Sequence, residues 1–128
     1  MNDIKDLLQK TKIIAMVGLS NDTNKASNRV AQFMMNHGYQ IVPVNPRESA
    51  ILGLKCYTQL EAIPFAVDMV NVFRPAQDCP PIAQSAVNIR AKSLWLQLGI
   101  SSEEANDIAS DAGLICVMDR CLKIELLN

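Results

Sequence analysis

An unbroken apolar run, Ile13-Ile14-Ala15-Met16-Val17, leads directly into Gly18. Apolar runs without alternation are typical of strands that a parallel sheet buries on both faces. The polar residues 19–26 predict a loop, and Ser27 is placed to cap a helix that ends near Asn36. The stretch therefore predicts a buried strand, a glycine-ended turn and a helix in succession.

Similar apolar runs recur along the chain and alternate with helical patterns. We expect the other strands at 40–44, 67–73, 93–98 and 114–118. We expect helices at about 3–11, 79–90, 101–112 (capped by Ser101 or Ser102) and 119–127, with an irregular segment at 47–63 that has one helical turn near 58–62. This alternation predicts an α/β fold, a Rossmann-like three-layer sandwich with a five-stranded parallel sheet and helices on both faces.

The length of 128 residues fits one domain, since domains usually have roughly 100–200 residues, and we expect a single domain over 1–128. The formal net charge of −1 provides no broad basic surface for nucleic-acid binding. No apolar run approaches the roughly 20 residues of a membrane span, and the N-terminus lacks a signal-peptide pattern. The four cysteines form no CxxC pair. We therefore expect a cytoplasmic protein with reduced thiols, no metal site, and neither a nucleic-acid nor a membrane partner.

The residues that follow the predicted strands carry the strongest functional signal. Parallel sheets bind ligands beyond the carboxyl ends of their strands, where the strand order switches. The segments at these ends are polar, glycine-containing or charged: Gly18-Leu19-Ser20-Asn21, Asn45-Pro46-Arg47, Arg74-Pro75, Gln97-Leu98-Gly99 and Asp119-Arg120-Cys121. We therefore expect a small-molecule site along this edge of the sheet.

The segment after the first strand is suited to a phosphate. A glycine followed by a helix start offers backbone N–H donors and a partial positive charge to an anion. Only Gly18 is present of the GxGxxG pattern, so a plain tight turn is the alternative interpretation. Further donors and charges would come from Ser20, Lys25, Ser27, Asn28 and Arg29.

The second and third strand ends favour a phosphorylated nucleotide. Dinucleotide sites for NAD usually place a carboxylate after the second strand, whereas this chain has Val44-Asn45-Pro46-Arg47. A cation there suits a ribose that bears a phosphate, as in coenzyme A or NADP. Phe73-Arg74-Pro75 offers a flat apolar surface and a guanidinium to an adenine, and Gln97-Leu98-Gly99 offers close approach and backbone amides.

Candidates for catalysis are few. The single histidine, His37, is expected at a helix end away from the ligand edge, in a structural role. Cys121 is the one thiol at that edge, and its position beside Arg120 near a helix start is of the kind that lowers a thiol pKa, but we expect an inert cysteine. Without an acid–base pair, we predict no catalytic residue.

Taken together, several segments resemble the small stand-alone CoA-binding family, which is related to the N-terminal CoA-binding domain of the succinyl-CoA synthetase α subunit. The resemblance covers residues 12–125 and is carried by Gly18-Leu19-Ser20, 38–46, Ile51-Leu52-Gly53, 67–74, 95–99 and 117–121. It implies coenzyme A across the strand ends. By the family pattern, residues 18–20 and the next helix start hold phosphates, 44–46 contact the nucleotide, 73–75 border the adenine, and 97–99 face the pantetheine arm. The synthetase's catalytic histidine belongs to a later domain, so ligase chemistry is not implied.

The expected function is binding of coenzyme A or an acyl-CoA at the strand ends, without evident catalysis. One alternative is a thiol, acyl-transfer or redox enzyme that uses Cys121 and coenzyme A. Others are an NADP-binding domain, favoured by Arg47, and an interaction domain with a vestigial nucleotide site. The sequence predicts no particular protein partner.

Overall fold

The computed structural model describes residues 3–128, and residues 1 and 2 of the predicted domain lie outside that range. In chain order the elements are α1 (Asp3–Lys10), β1 (Ile13–Val17), α2 (Ala26–Asn36), β2 (Gln40–Val44), β3 (Ala50–Ile51), β4 (Leu54–Lys55), β5 (Met69–Val72), α3 (Cys79–Asn88), β6 (Ser93–Leu96), α4 (Glu103–Asp111), β7 (Ile115–Val117) and α5 (Leu122–Leu127). Short 3-10 turns occupy Leu60–Ala62 and Ala76–Asp78. Within this range, no helix has the length and apolar character needed to cross a bilayer.

The main sheet has five parallel strands in the order β2-β1-β5-β6-β7, which confirms the predicted Rossmann-like architecture. The chain leaves β1 to one side to form β2 and to the other side to form β5, so the strand order switches beside β1. Val17 at the end of β1 is in register with Val44 of β2 and Val72 of β5. The carboxyl ends of these three strands therefore lie level at the switch point.

Two apolar layers sandwich the sheet and confirm the three-layer prediction. One layer contains residues of α3 and α4, such as Ala83 and Ala105, and the other contains residues of α1, α2 and α5, such as Leu8 and Met34. Trp95 of β6 is fully buried, as expected for a core residue. Its indole N–H donates to the Arg120 carbonyl oxygen at 2.8 Å, which satisfies the polar atom that burial would otherwise leave unpaired.

The predicted irregular segment contains a small antiparallel sheet formed by β3 and β4. Just after it, Tyr57 lies along the outer edge of β2: its N–H donates to the Pro43 carbonyl at 3.0 Å, and its carbonyl accepts from the Asn45 N–H at 2.9 Å. The prediction missed these strands because two-residue strands are too short to show a period. The pairing fixes residues 58–60 beside the end of β2.

Two predicted helix starts were wrong. Helix α2 begins at Ala26 with Lys25 as its N-cap, and the Ser27 hydroxyl does not cap it. The last helix begins at Leu122 and not at Asp119, which has a left-handed backbone with φ of 59°. Of the two candidate caps for α4, the structure uses Ser102, whose hydroxyl accepts from the Ala105 N–H at 3.1 Å.

Candidate functional site

Gly18 lies at the centre of the switch point. Its N–H donates to the Val44 carbonyl oxygen at 3.0 Å, and its φ of +87° is a conformation that favours glycine. A Cβ atom there would lie 2.7 Å from the Phe73 carbonyl oxygen and 3.0 Å from Cδ of Arg74. The missing side chain therefore lets the ends of β1 and β5 approach each other and leaves room for the stem of Arg74.

The loop after β1 is braced by the first turn of α2. The Ser20 N–H donates to the Ser27 hydroxyl at 3.0 Å, and the Asn28 side-chain amide donates to the Ser20 carbonyl at 2.7 Å. Ser27 and Asn28 are both buried. The structure gives these two side chains a bracing contact, whereas the sequence analysis expected them to donate to a ligand.

The loops after β1 and β2 are tied together. The Asn45 side-chain amide donates to the Leu19 carbonyl oxygen at 3.1 Å, and its Oδ1 accepts from the Arg47 N–H at 2.9 Å. Farther out, the Asn21 amide donates to a Glu48 carboxylate oxygen at 2.9 Å. These bonds give the strand ends a defined shape in advance of any ligand.

The loop after β5 contributes Arg74. Its Nη2 donates to Oδ2 of Asp78 at 2.8 Å, and the two side chains are 51% and 38% exposed. Pro80 and Pro81 lie in the first turn of α3, as predicted. The stem of Arg74 thus passes Gly18, and its guanidinium is held close to the start of α3.

A cleft of about 810 Å³ occupies the ends of β1, β2 and β5. The predicted site residues that line it are Gly18, Ser20, Val44, Asn45, Pro46, Arg47 and Arg74. Asn21, which was predicted to lie at this edge without an assigned role, lines it too. Residues that the prediction missed also line it: Val17, Asp22, Glu48, Thr58, Gln59, Leu60, Asp78, Pro81, Ile82 and Ser85. Asp78 follows a strand end closely enough that the topology could have suggested it. Residues 58–60 depend on the pairing of Tyr57 with β2, which no pattern in the sequence indicated.

The remaining predicted site residues do not line this cleft: Leu19, Lys25, Ser27, Asn28, Phe73, Pro75, Gln97, Leu98, Gly99 and Cys121. Gln97 is buried and accepts a hydrogen bond from Asn71 at 3.2 Å, and the Gly99 N–H donates to the Asp119 carboxylate at 2.7 Å. Leu98 is 60% exposed. The ends of β6 and β7 thus form a separate, internally bonded surface.

The cysteines differ in their surroundings. Burial raises the pKa of the Cys56 and Cys79 thiols, and burial, with smaller effects from Cys79 and Glu103, raises the pKa of Cys116 to about 11. Cys121 packs against the apolar layer of α1, α2 and α5. An enzyme that uses Cys121 stays an alternative that these surroundings do not test.

The cleft lining combines both signs of charge. Arg47 has no ion-pair partner in the part of the chain that the structure describes, whereas Arg74 is paired. Carboxylates of Asp22, Glu48 and Asp78 also line the cleft. Within residues 3–128, no three histidine, cysteine or acidic side chains are grouped to hold a metal ion. The lining offers an anionic ligand two cationic side chains, Arg47 and Arg74, among three carboxylates.

The chain is similar to several known proteins over most of its length. The sequence model of a family described as "CoA binding domain" matches residues 12–126. The uncharacterized protein YneT of Bacillus subtilis is 38% identical over 122 residues, which cover 95% of this chain and 90% of YneT. A solved structure of a hypothetical protein from Pyrococcus horikoshii OT3 superposes with a TM-score of 0.95 at 35% identity, covering 98% of this chain and 91% of that one.

A much larger relative contains a similar segment. Acetate–CoA ligase [ADP-forming] II of Archaeoglobus fulgidus is 34% identical over 82 residues, which cover 62% of this chain but only 12% of the ligase. The family model matches most of the chain, and the similarity to YneT extends over nearly the full length of both proteins. This chain belongs to the family of CoA-binding domains.

Proposed function

We propose that this protein binds coenzyme A in the cleft at the ends of β1, β2 and β5, and that it acts as a binding module without catalysis. Membership of the CoA-binding domain family supports the ligand class. The cleft volume of about 810 Å³ lies within the roughly 300–1,000 Å³ of typical ligand sites. Its position at the switch in strand order is where sheets of this kind bind ligands.

The close approach at Gly18 carries the proposal. A Cβ atom at Gly18 would lie 2.7 Å from the Phe73 carbonyl oxygen and 3.0 Å from Cδ of Arg74, so the absence of a side chain leaves room for Arg74 beside the ends of β1 and β5. Arg74 and Arg47 both line the cleft. A phosphate group that enters here would meet two guanidinium groups, which suit bidentate contacts with phosphate.

Two less charged parts of the cleft lining support a place for the nucleobase. Thr58, Gln59 and Leu60 line one part of the cleft, and Pro81 and Ile82 of α3 line another. Apolar surface with a few polar groups is the usual lining for a flat ring. We propose that the adenine lies here, while the pantetheine arm leaves the cleft toward Leu98, as the family pattern predicts.

Calorimetric titration tests the proposal. Reduced protein is titrated with CoA, and with NADPH and ATP as comparison ligands. We expect micromolar binding of CoA, weaker binding of the other two, and a loss of at least tenfold for Arg74→Ala, since hydrogen bonds to charged groups contribute about 1.5–3 kcal/mol. Arg90→Ala, at the opposite end of α3, is the matched control and should bind like the wild type. Tighter binding of NADPH would favour the NADP alternative, and no binding of any ligand would contradict both.

A further inference from the structure

Asp78 has an unusual hydrogen-bond partner for a residue that precedes a helix. It is the N-cap of α3, yet its side chain makes no capping hydrogen bond. An N-cap carboxylate normally accepts from the N–H of the second or third helical residue. In α3 those residues are Pro80 and Pro81, which have no N–H to donate. The Asp78 carboxylate therefore lacks its usual partner and bonds to Arg74.

This ion pair lies in the proposed ligand site. Arg74 and Asp78 both line the cleft, and Nη2 of Arg74 is 2.8 Å from Oδ2 of Asp78. A carboxylate and a phosphate can each offer a guanidinium two negatively charged acceptor oxygens for a bidentate contact. Arg47, the other arginine of the cleft, has no such partner in the described part of the chain.

We propose that Asp78 is an affinity-limiting residue, which competes with the phosphate of the ligand for Arg74. The inference rests on the proposed function, because it requires an anionic ligand in this cleft. Exposed ion pairs of this kind are weak, so a ligand that carries several phosphates can displace the carboxylate. Once displaced, the Asp78 carboxylate finds no N–H donor at the second or third residue of α3. Its negative charge therefore stays close to the phosphate of the ligand.

The test is a calorimetric titration of CoA into the wild type and Asp78→Asn. Asparagine keeps the size and one acceptor oxygen of the side chain but removes its charge. We expect CoA to bind roughly three- to tenfold more tightly to the variant, from the loss of one exposed ion pair and of one repulsive charge. Asp6→Asn removes the same charge from another exposed pair of the i, i+4 type, Lys10–Asp6 at 3.0 Å on α1, and should leave the affinity unchanged.

A double-mutant cycle shows whether the effect passes through Arg74. In the background of Arg74→Ala, the gain from Asp78→Asn should shrink to less than twofold. Unchanged or weaker binding by Asp78→Asn alone overturns the inference, because Asp78 would then position Arg74 for the ligand. A gain that persists without Arg74 also overturns it. Failure of every variant and of the wild type to bind CoA contradicts the proposed function itself, and this inference with it.

Discussion

Of the five glycines, all of which lie in the described part of the chain, Gly18 alone has heavy atoms within 4 Å of where a Cβ atom would lie. Its left-handed backbone disfavours a side chain by about 1–2 kcal/mol, and overlap with the Phe73 carbonyl adds about 1–3 kcal/mol. We expect Gly18→Ala to lower the free energy of unfolding by roughly 2–5 kcal/mol in urea titrations. Gly38, with φ of +93° and open space within 4 Å of where a Cβ atom would lie, is the matched control. Gly38→Ala should lower the free energy of unfolding by the backbone contribution alone. An equal decrease at both positions would show that the contact with Phe73 is unimportant.

The buried thiol of Cys79 and the half-buried thiol of Cys116 predict a stability that falls at high pH. Burial raises the pKa of Cys116 from 9.0 to about 11, and it also raises the pKa of Cys79. Thiols of the unfolded chain ionise first, so the unfolded state binds fewer protons than the folded state between these values. The stabilising contribution is complete below about pH 9 and is lost as the pH rises toward 11. Urea unfolding across this range should show the decline, and Cys116→Ala should make it shallower; an unchanged slope would contradict the assignment.

At the level of the elements, Glu61 joins the 3-10 turn at Leu60–Ala62 to α3. Burial alone would raise the pKa of Glu61, but hydrogen bonds from Asn88 and Ser85 outweigh it and hold that pKa below 4.5. A lowered pKa in the folded state gives stability that is present above pH 4.5 and is lost as the pH falls through the folded value.

We expect the amides of residues 58–62 to exchange faster in Asn88→Ala than in the wild type. Gln84→Ala, which removes the other side-chain partner of Asn88, serves as the control.

The elements also show what can and cannot be predicted from the sequence. The run Ile13–Val17 and its counterparts predicted all strands of the main sheet, because burial on both faces gives a local apolar signature. The strand ends that the sheet brings together followed from that topology, including Gly18 and Arg74. The position of residues 58–60 in the cleft lining did not follow from the topology, since it depends on hydrogen bonds between Tyr57 and β2. The ion pair between Asp78 and Arg74 was not predicted either, because it depends on two prolines that remove the usual capping donors.

For the molecule as a whole, ligand binding should be visible as stabilisation. A ligand at a concentration of about 100 times its Kd stabilises the folded state by about 2.7 kcal/mol. For a chain of 128 residues, that corresponds to a rise in Tm of roughly 10 °C. Differential scanning calorimetry with CoA should show this rise, and Arg74→Ala should show a smaller one at the same CoA concentration. An equal rise in both proteins would argue that CoA binds elsewhere.

CoA bound in the cleft would contact different residues from CoA bound at the separate surface formed by the ends of β6 and β7. Backbone amide shifts in ¹H–¹⁵N spectra, recorded as CoA is added to the wild type, report on both at once. We predict the largest shifts at residues 18–22, 45–48, 58–60 and 74–78, which line or adjoin the cleft. Shifts confined to residues 97–99 and 119–121, or no shifts at all, would contradict CoA binding in the cleft beside Gly18 and Arg74.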